Sequence, residues 1–160
     1  MNKDPISSYR KIADYIILYF QEHGEPLTNL KLQKLLYYAQ GWYLALYSKP
    51  LFDDKIEAWV HGPVIPAAYR SFKQYGYGLI DEKPSFPNLS PEIRSHLDEV
   101  IDVYGSYSAF ELEHLTHQTT PWKKARGNLP IDEASNAEIT QIDMKEYFLE
   151  KVAENEQKNS

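Results

Sequence analysis

The chain has 160 residues, a formal net charge of −6, thirteen Tyr and no cysteine. This length is enough for one domain with its own core, the lack of thiols excludes cysteine catalysis, cysteine-ligated zinc and disulfides, and the acidic balance gives no bulk attraction to nucleic acid. No run of about 18 apolar residues occurs, so we expect a cytoplasmic protein that makes no membrane contact.

Two helices are predicted in the first third of the chain. The first begins at Ser7 or Ser8, which are favourable N-caps, and ends near Gly24. The second begins at Thr28 and ends before Ser48. Tyr and Leu side chains also occupy its remaining face, so we expect a central helix packed on more than one side. The apolar stripes at helical spacing are Ile12, Tyr15, Ile16, Tyr19 and Phe20 in the first helix, and Leu32, Leu35, Leu36, Ala39, Trp42, Tyr43 and Leu46 in the second.

The segment after the central helix is predicted to be mostly extended or irregular. Residues 56–60 alternate in polarity and predict a short strand. Residues 61–66 contain two prolines, which favour rigid irregular chain. A helix over 66–75 follows, since proline suits a first helical turn. Residues 77–90 are rich in turn formers, so we expect an exposed loop there with a second short strand at 79–82.

Four helices are predicted in the second half of the chain, and three of them have a clear start signal. Ser90 precedes a proline and an acid. Ser108 is followed three residues later by glutamate, which is the capping-box pattern. Thr119 is closely followed by a proline. We expect one domain over residues 1–152 and a frayed polar tail at 153–160.

Two histidine-bearing motifs combine a polar ring with residues that shape the backbone. In His61-Gly62-Pro63, a conformationally free glycine precedes a rigid proline, so the imidazole is either presented in a fixed direction or caps a backbone carbonyl. Thr116-His117 lies shortly before Pro121-Trp122 and fits either a polar junction between helices or partner recognition. We expect the 38–43 segment of the central helix to support both motifs as one surface.

No metal site, cofactor or catalytic centre is predicted. His114 and His117 share a helix face, but the chain lacks the His-Glu-x-x-His pattern and any cysteine ligand. Local positive charge occurs at Lys31, Lys34 and the 123–126 run. We expect these cations to lie on solvated helix faces rather than in a nucleic-acid site.

Six short segments follow one another in an order that is distinctive as a set. They are LQKLLYYAQGW at 32–42, PLF at 50–52, IEAW at 56–59, HGPV at 61–64, LTH at 115–117 and PW at 121–122. Together they resemble the Panacea domain, the SocA-like, phage-associated family, and the resemblance covers most of the chain. It agrees with the fold predicted from the residues, which is a compact single-domain helical bundle around the central helix with a two- or three-stranded β element.

The resemblance implies an antitoxin that is not an enzyme. Members of the family are encoded beside a toxin and neutralise it, usually by direct contact, so a cognate toxin is the expected partner. Three alternatives stay open: an enzymatic antitoxin that reverses a toxin's modification, an adaptor that delivers the toxin to a protease, and an autoregulatory DNA-binding protein. The aromatic and rigid residues that we predict near the protein-binding surface are Tyr38, Trp42, Trp59, His61, Pro63, Tyr69, His117 and Trp122.

Overall fold

The structure is a computed structural model that describes residues 8–158, and most of these residues are helical. The α-helices are α1 (Tyr9–Glu22), α2 (Asn29–Tyr47), α3 (Pro66–Phe72), α4 (Pro91–Tyr104), α5 (Ala109–His117), α6 (Thr120–Arg126) and α7 (Gln141–Lys158). The strands are β1 (Ile56–Trp59), β2 (Gly62–Val64) and β3 (Glu138–Ile139). The predicted class, mainly helical with a small sheet, is confirmed.

The predicted central helix is α2. Fifteen of its 19 residues are buried, and it contacts α1, α3, α4, α5, α7 and β2. The Thr28 hydroxyl caps its first turn by accepting from the Lys31 amide at 3.2 Å. The apolar stripe continues past the covered part of the helix, because Leu46 is 48% exposed in the last turn. The predicted burial of Leu46 is therefore wrong, since helical spacing does not reveal where the neighbouring elements end.

A glycine in α2 lets α7 pack against it at close range. A side chain at Gly41 would overlap the ring of Phe148. This ring is fully buried and also lies against the rings of Tyr37, Tyr38 and Trp42, with centroid separations of 5.1 to 6.1 Å. Phe148 therefore anchors α7 in a slot that exists only because residue 41 has no Cβ.

The sheet has the order β2-β1-β3, with both neighbours antiparallel to β1. Trp59 pairs with Gly62, so β1 and β2 form a hairpin with a two-residue turn. Gly62 has a φ of +107° at this turn, a conformation that favours glycine. Pro63 is tolerated in β2 because this strand is at the edge of the sheet, where a missing N–H breaks no ladder bond.

Two predictions about the strands are wrong. The segment 79–82 forms no named strand, and its Leu79 makes only an isolated bridge to Thr28. The second strand is instead Gly62–Val64, inside the segment predicted to be irregular, and the third is Glu138–Ile139. Strand pairing depends on which distant segments meet, and neither short strand has enough residues to show an alternating pattern.

The local start signals of two later helices are confirmed. The Ser90 hydroxyl accepts from the Ile93 amide, and Ser108 and Glu111 form the complete capping box. Thr119 precedes α6 as predicted but makes no side-chain cap. At the start of α1, Ser8 makes no side-chain cap either, and the alternative Ser7 lies outside the described residues.

The last helix continues into the segment that was predicted to be a tail. α7 ends at Lys158, so helix covers most of the segment 153–160. The fraying that we predict for this segment stays a prediction. The predicted domain over 1–152 likewise includes residues outside the described range. Within residues 8–158, no helix combines the length and apolar character needed to cross a bilayer.

We predict that Gly41→Ala destabilises the protein through overlap with Phe148. Overpacking of a core costs about 1–3 kcal/mol, which outweighs the gain of about 1 kcal/mol that alanine brings to a helix interior. In a Phe148→Leu background, the same substitution is expected to be neutral or stabilising, because the ring is gone. Urea unfolding of the natural protein, the two single variants and the double variant measures how Gly41→Ala changes the free energy of unfolding in each background. An equal loss in both backgrounds would contradict the account.

Candidate functional site

Polar side chains of α2 hold the main chain that leads out of the hairpin. The Gln33 carbonyl accepts from the Ile65 amide at 3.0 Å, and its amide group donates to Asn29 at 2.9 Å. Asn29 in turn donates to the Tyr69 carbonyl at 3.1 Å. Gln33 and Asn29 are buried, so these bonds satisfy groups that water does not reach. Together they fix the path from β2 into α3 relative to α2.

A second glutamine of α2, Gln40, holds the main chain of the connection before β1. The buried Gln40 accepts from the Leu51 amide at 2.8 Å and donates to the Phe52 carbonyl at 2.6 Å. Leu51 and Phe52 are themselves fully buried. A segment without regular structure is thereby tied to α2 through both ends of one amide side chain.

Lys34 extends the network to β2. Its side chain is fully buried, and Nζ donates to the Pro63 carbonyl at 3.1 Å. Burial lowers the pKa of Lys34 to about 7, while the carboxylate of Glu113 acts in the opposite direction. A cation is costly inside a protein unless it is paired or loses its proton, so Lys34 carries its charge only partially near neutral pH.

The expectation of solvated cations is wrong for three residues and correct for two. Lys31, Lys34 and Arg126 are buried, whereas Lys123 and Lys124 are exposed. Each buried cation donates to a backbone carbonyl. Helical spacing alone did not show that neighbouring segments cover these positions.

The two histidine motifs lie together. Gly62 packs so closely on α5 and α2 that an added Cβ would come within 2.7 Å of the Thr116 hydroxyl and 2.9 Å of Lys34 Cε. His61 Nδ1 is 3.1 Å from the Glu113 carboxylate on α5. His117 Nε2 lies 2.9 Å from the Val60 carbonyl, and since a carbonyl only accepts, this nitrogen carries the hydrogen.

Trp122 supports the hairpin from behind. Its ring stacks on His117 at 4.1 Å, and its indole N–H donates to the Trp59 carbonyl at 2.9 Å. The Arg126 guanidinium lies over the same indole ring at 4.9 Å and donates to the Ala58 carbonyl. Burial lowers the pKa of His117, which favours a neutral ring in this packed position. His117, Trp122 and Arg126 therefore form a packed structural junction beneath β1.

A groove of about 1030 Å³ opens beside the hairpin. The Trp59 ring meets Tyr69 edge-on at 5.1 Å, and its indole N–H donates to Glu57 at 2.8 Å. The Tyr77 side chain is fully exposed. We call this the hairpin groove and define it by Trp59, His61, Tyr69, Arg70, Tyr77 and Glu113.

The structure divides the eight predicted residues into three groups. Trp59, His61 and Tyr69 line the hairpin groove. Pro63, His117 and Trp122 lie behind it, and Pro63 and Trp122 are buried. Tyr38 and Trp42 line a different groove. The supporting part of α2 is therefore not the predicted 38–43 segment but the turn that carries Gln33 and Lys34.

Sequence reasoning missed three residues of this region and misjudged a fourth, Lys34. Glu113 is one helical turn before His117, a spacing that signals a shared face. Arg70 and Tyr77 flank the end of the α3 region, and their place in the groove depends on how α3 meets β1. Lys34 could have been found only by asking why a lysine interrupts a helix that is apolar on its other faces.

Metal binding has no geometric support in the part of the chain that the structure describes. Among residues 8–158, no group of three or more Asp, Glu or His side chains is arranged to hold an ion. Two of the histidines considered above already have protein partners, since His61 contacts Glu113 and His117 contacts the Val60 carbonyl.

The comparisons with known proteins cover the same motifs. The family described as "Antitoxin SocA-like, Panacea domain" matches residues 32–123, which include most of α2, the hairpin and α5. The chain belongs to this antitoxin family. It is also 30% identical over 136 residues to Antitoxin SocA of Caulobacter vibrioides (strain NA1000 / CB15N), an alignment that spans 76% of this chain and 72% of that protein. No solved structure shows a significant match to the chain.

The lowered pKa of Lys34 predicts a specific dependence of stability on pH. Its ordinary value is 10.5 and its folded value is about 7, so between these limits the unfolded chain binds the proton and the folded chain does not. The free energy of unfolding should therefore rise with pH over this range, by at most about 1.4 kcal/mol per pH unit. Below pH 7 both states are protonated and this contribution becomes constant.

Lys34→Met is the matched variant, because methionine fills similar space and does not titrate. Urea unfolding from about pH 6 to pH 10 measures the difference in free energy of unfolding between the natural protein and the variant. We expect this difference to shift in favour of the natural protein as the pH rises. A difference that is independent of pH would show that Lys34 titrates normally in the folded chain.

Proposed function

We propose that this protein neutralises a cognate toxin by binding it directly, with the hairpin groove as the contact surface. Membership of the SocA-like antitoxin family supports the role and implies a toxin partner. The observation that carries the choice of surface is the convergence of Trp59, His61 and Tyr69 in one groove.

The composition of the hairpin groove suits a protein partner. Interfaces draw most of their binding energy from a few Trp, Tyr and Arg residues set in a central pocket, and the groove offers Trp59, Tyr69, Tyr77 and Arg70. Each aromatic ring there supplies apolar area together with a polar tip. The nearby carboxylate of Glu57 already accepts from the Trp59 indole, which holds the ring in one orientation.

The groove is also pre-organised. β1 is held from behind by Trp122 and Arg126, and β2 is held by Lys34. A rigid surface loses less conformational entropy when a partner binds. The buried polar network of α2 therefore contributes to affinity without touching the toxin.

The direct test is co-expression with the product of the neighbouring gene, which is where we expect the toxin to be encoded, followed by co-purification. We predict that Trp59→Ala weakens the complex by at least about tenfold, because truncating a central aromatic anchor costs roughly 2 kcal/mol or more. The variant should fold, since the bond from Trp122 goes to the main-chain carbonyl of residue 59 and not to its side chain. Trp59→Phe should retain more affinity than Trp59→Ala.

Phe86→Ala is the matched control for this test. Phe86 is an exposed aromatic residue (61%) that contacts Tyr15, away from the groove. It should leave toxin binding unchanged. Full toxin binding by Trp59→Ala would overturn the choice of surface, whereas the absence of any complex with the natural protein would overturn direct binding itself. Rescue of growth at substoichiometric amounts of antitoxin would indicate the enzymatic alternative.

A further inference from the structure

A second groove lies between α4 and α7, with α2 as its floor. Its volume is about 660 Å³. α5 separates it from the hairpin groove, because Glu113 faces the hairpin groove and Leu115 faces this one. We call it the α4–α7 groove and define it by Tyr38, Trp42, Val103, Tyr104, Phe148 and Val152.

The floor of this groove is made of packed aromatic rings. The Tyr38 ring stacks on Tyr104 with centroids 3.9 Å apart, and the Trp42 ring lies 5.1 Å from Phe148. The Trp42 indole N–H donates to the Tyr104 hydroxyl at 2.9 Å. Because the indole already has its partner inside the protein, the floor favours an apolar ligand over a polar one.

Exposed apolar residues continue this floor to the surface. Val103 on α4 is 58% exposed, Leu46 at the end of α2 is 48% exposed, and Tyr107 is 38% exposed. All three line the α4–α7 groove. Single exposed apolar residues are ordinary, but a contiguous set beside a concave floor marks an interaction surface.

The two helices that form the walls of the groove carry a net negative charge. α4 and α7 together contain nine Asp and Glu against four Lys and Arg, a net charge of −5 within a chain total of −6. Glu99 and Glu156 line the groove directly. The one lysine in its lining, Lys151, lies over the Tyr147 ring and contacts Glu154. Since Lys151 is paired with Glu154, the carboxylates of Glu99 and Glu156 give the groove lining a net negative charge that attracts cations.

We propose that the α4–α7 groove binds an amphipathic α-helix of a partner protein, with an apolar face flanked by Lys and Arg. An apolar groove between two helices accepts the apolar face of a third helix, and its acidic walls complement basic flanks. The same acidity disfavours a second copy of this chain, whose own α4 and α7 would repel it. It also disfavours nucleic acid and anionic membranes. This surface goes beyond the proposed function, because the hairpin groove stays free when it is occupied.

The probe for this proposal is a fluorescein-labelled peptide of about 18 residues made only of Leu and Lys, with Leu at helical i, i+3, i+4, i+7 spacing. A second peptide has the same composition in scrambled order, and a third has Glu in place of Lys. Fluorescence anisotropy against the full chain measures affinity. We expect the helical basic peptide to bind at least tenfold more tightly than either of the others.

Charge-adding variants locate the site. Val103→Lys and Glu99→Lys place a cation in the groove and should each weaken binding of the basic peptide at least tenfold. Val103 is exposed, so a lysine there should be tolerated. Ile131→Lys is the matched control, because Ile131 is 64% exposed and does not line this groove. It and Trp59→Ala should leave peptide affinity unchanged.

Backbone amide NMR shifts give an independent readout. The peptide should perturb amides of α4 and α7 and leave β1 and β2 unchanged. Equal binding of the scrambled peptide, equal binding by Val103→Lys, or shifts confined to the hairpin would each overturn the proposal. None of these outcomes affects the toxin test, which uses a different ligand and a different groove.

Discussion

The fold depends on buried polar side chains of α2 that bond to the main chain of other segments. Gln33, Lys34 and Gln40 are buried, and each is hydrogen-bonded to backbone between residues 51 and 65. Most of this stretch has no helix and only short strands, so its backbone groups need other partners. A central helix that were apolar throughout would leave them unsatisfied, at a cost of about 1–3 kcal/mol for each group. α2 is therefore both the core of the molecule and a hydrogen-bonding template.

This arrangement explains how a small protein presents a defined surface on a two-residue turn. The turn positions His61 on the Glu113 side of α5. Gly62 packs so closely against Lys34 and Thr116 that an added Cβ would force one of them to move. In the His61-Gly62-Pro63 motif, the buried Gly62 and Pro63 fix the backbone, and the exposed His61 faces the hairpin groove. The same division applies to β1, whose main chain contacts Trp122 while the Trp59 side chain lines the groove.

The sequence allowed correct prediction of the features that depend on neighbouring residues alone. Thr28, Ser90 and Ser108 cap helices as expected, because a cap involves only neighbouring residues. The central place of α2 could be read from apolar residues on all of its faces. The second strand was misplaced because pairing is non-local, and Lys34 was misjudged because helical spacing does not show what covers a face. The two histidine motifs lie close together, but they do not form the one surface that was expected, since His61 lines the hairpin groove and His117 packs behind it. The support assigned to the 38–43 segment belongs to Gln33 and Lys34.

The claim that α2 side chains hold the hairpin is tested most directly by native-state hydrogen exchange in Gln33→Met. This substitution keeps the volume and removes the acceptor of the Ile65 amide. The Ala58 amide, which donates to Ala137 at 2.9 Å on the other side of β1, serves as the internal reference. Local opening is measured residue by residue in this experiment. The account predicts that exchange at Ile65 accelerates at least about tenfold more than at Ala58. Equal acceleration of both amides, or no change at Ile65, would contradict it.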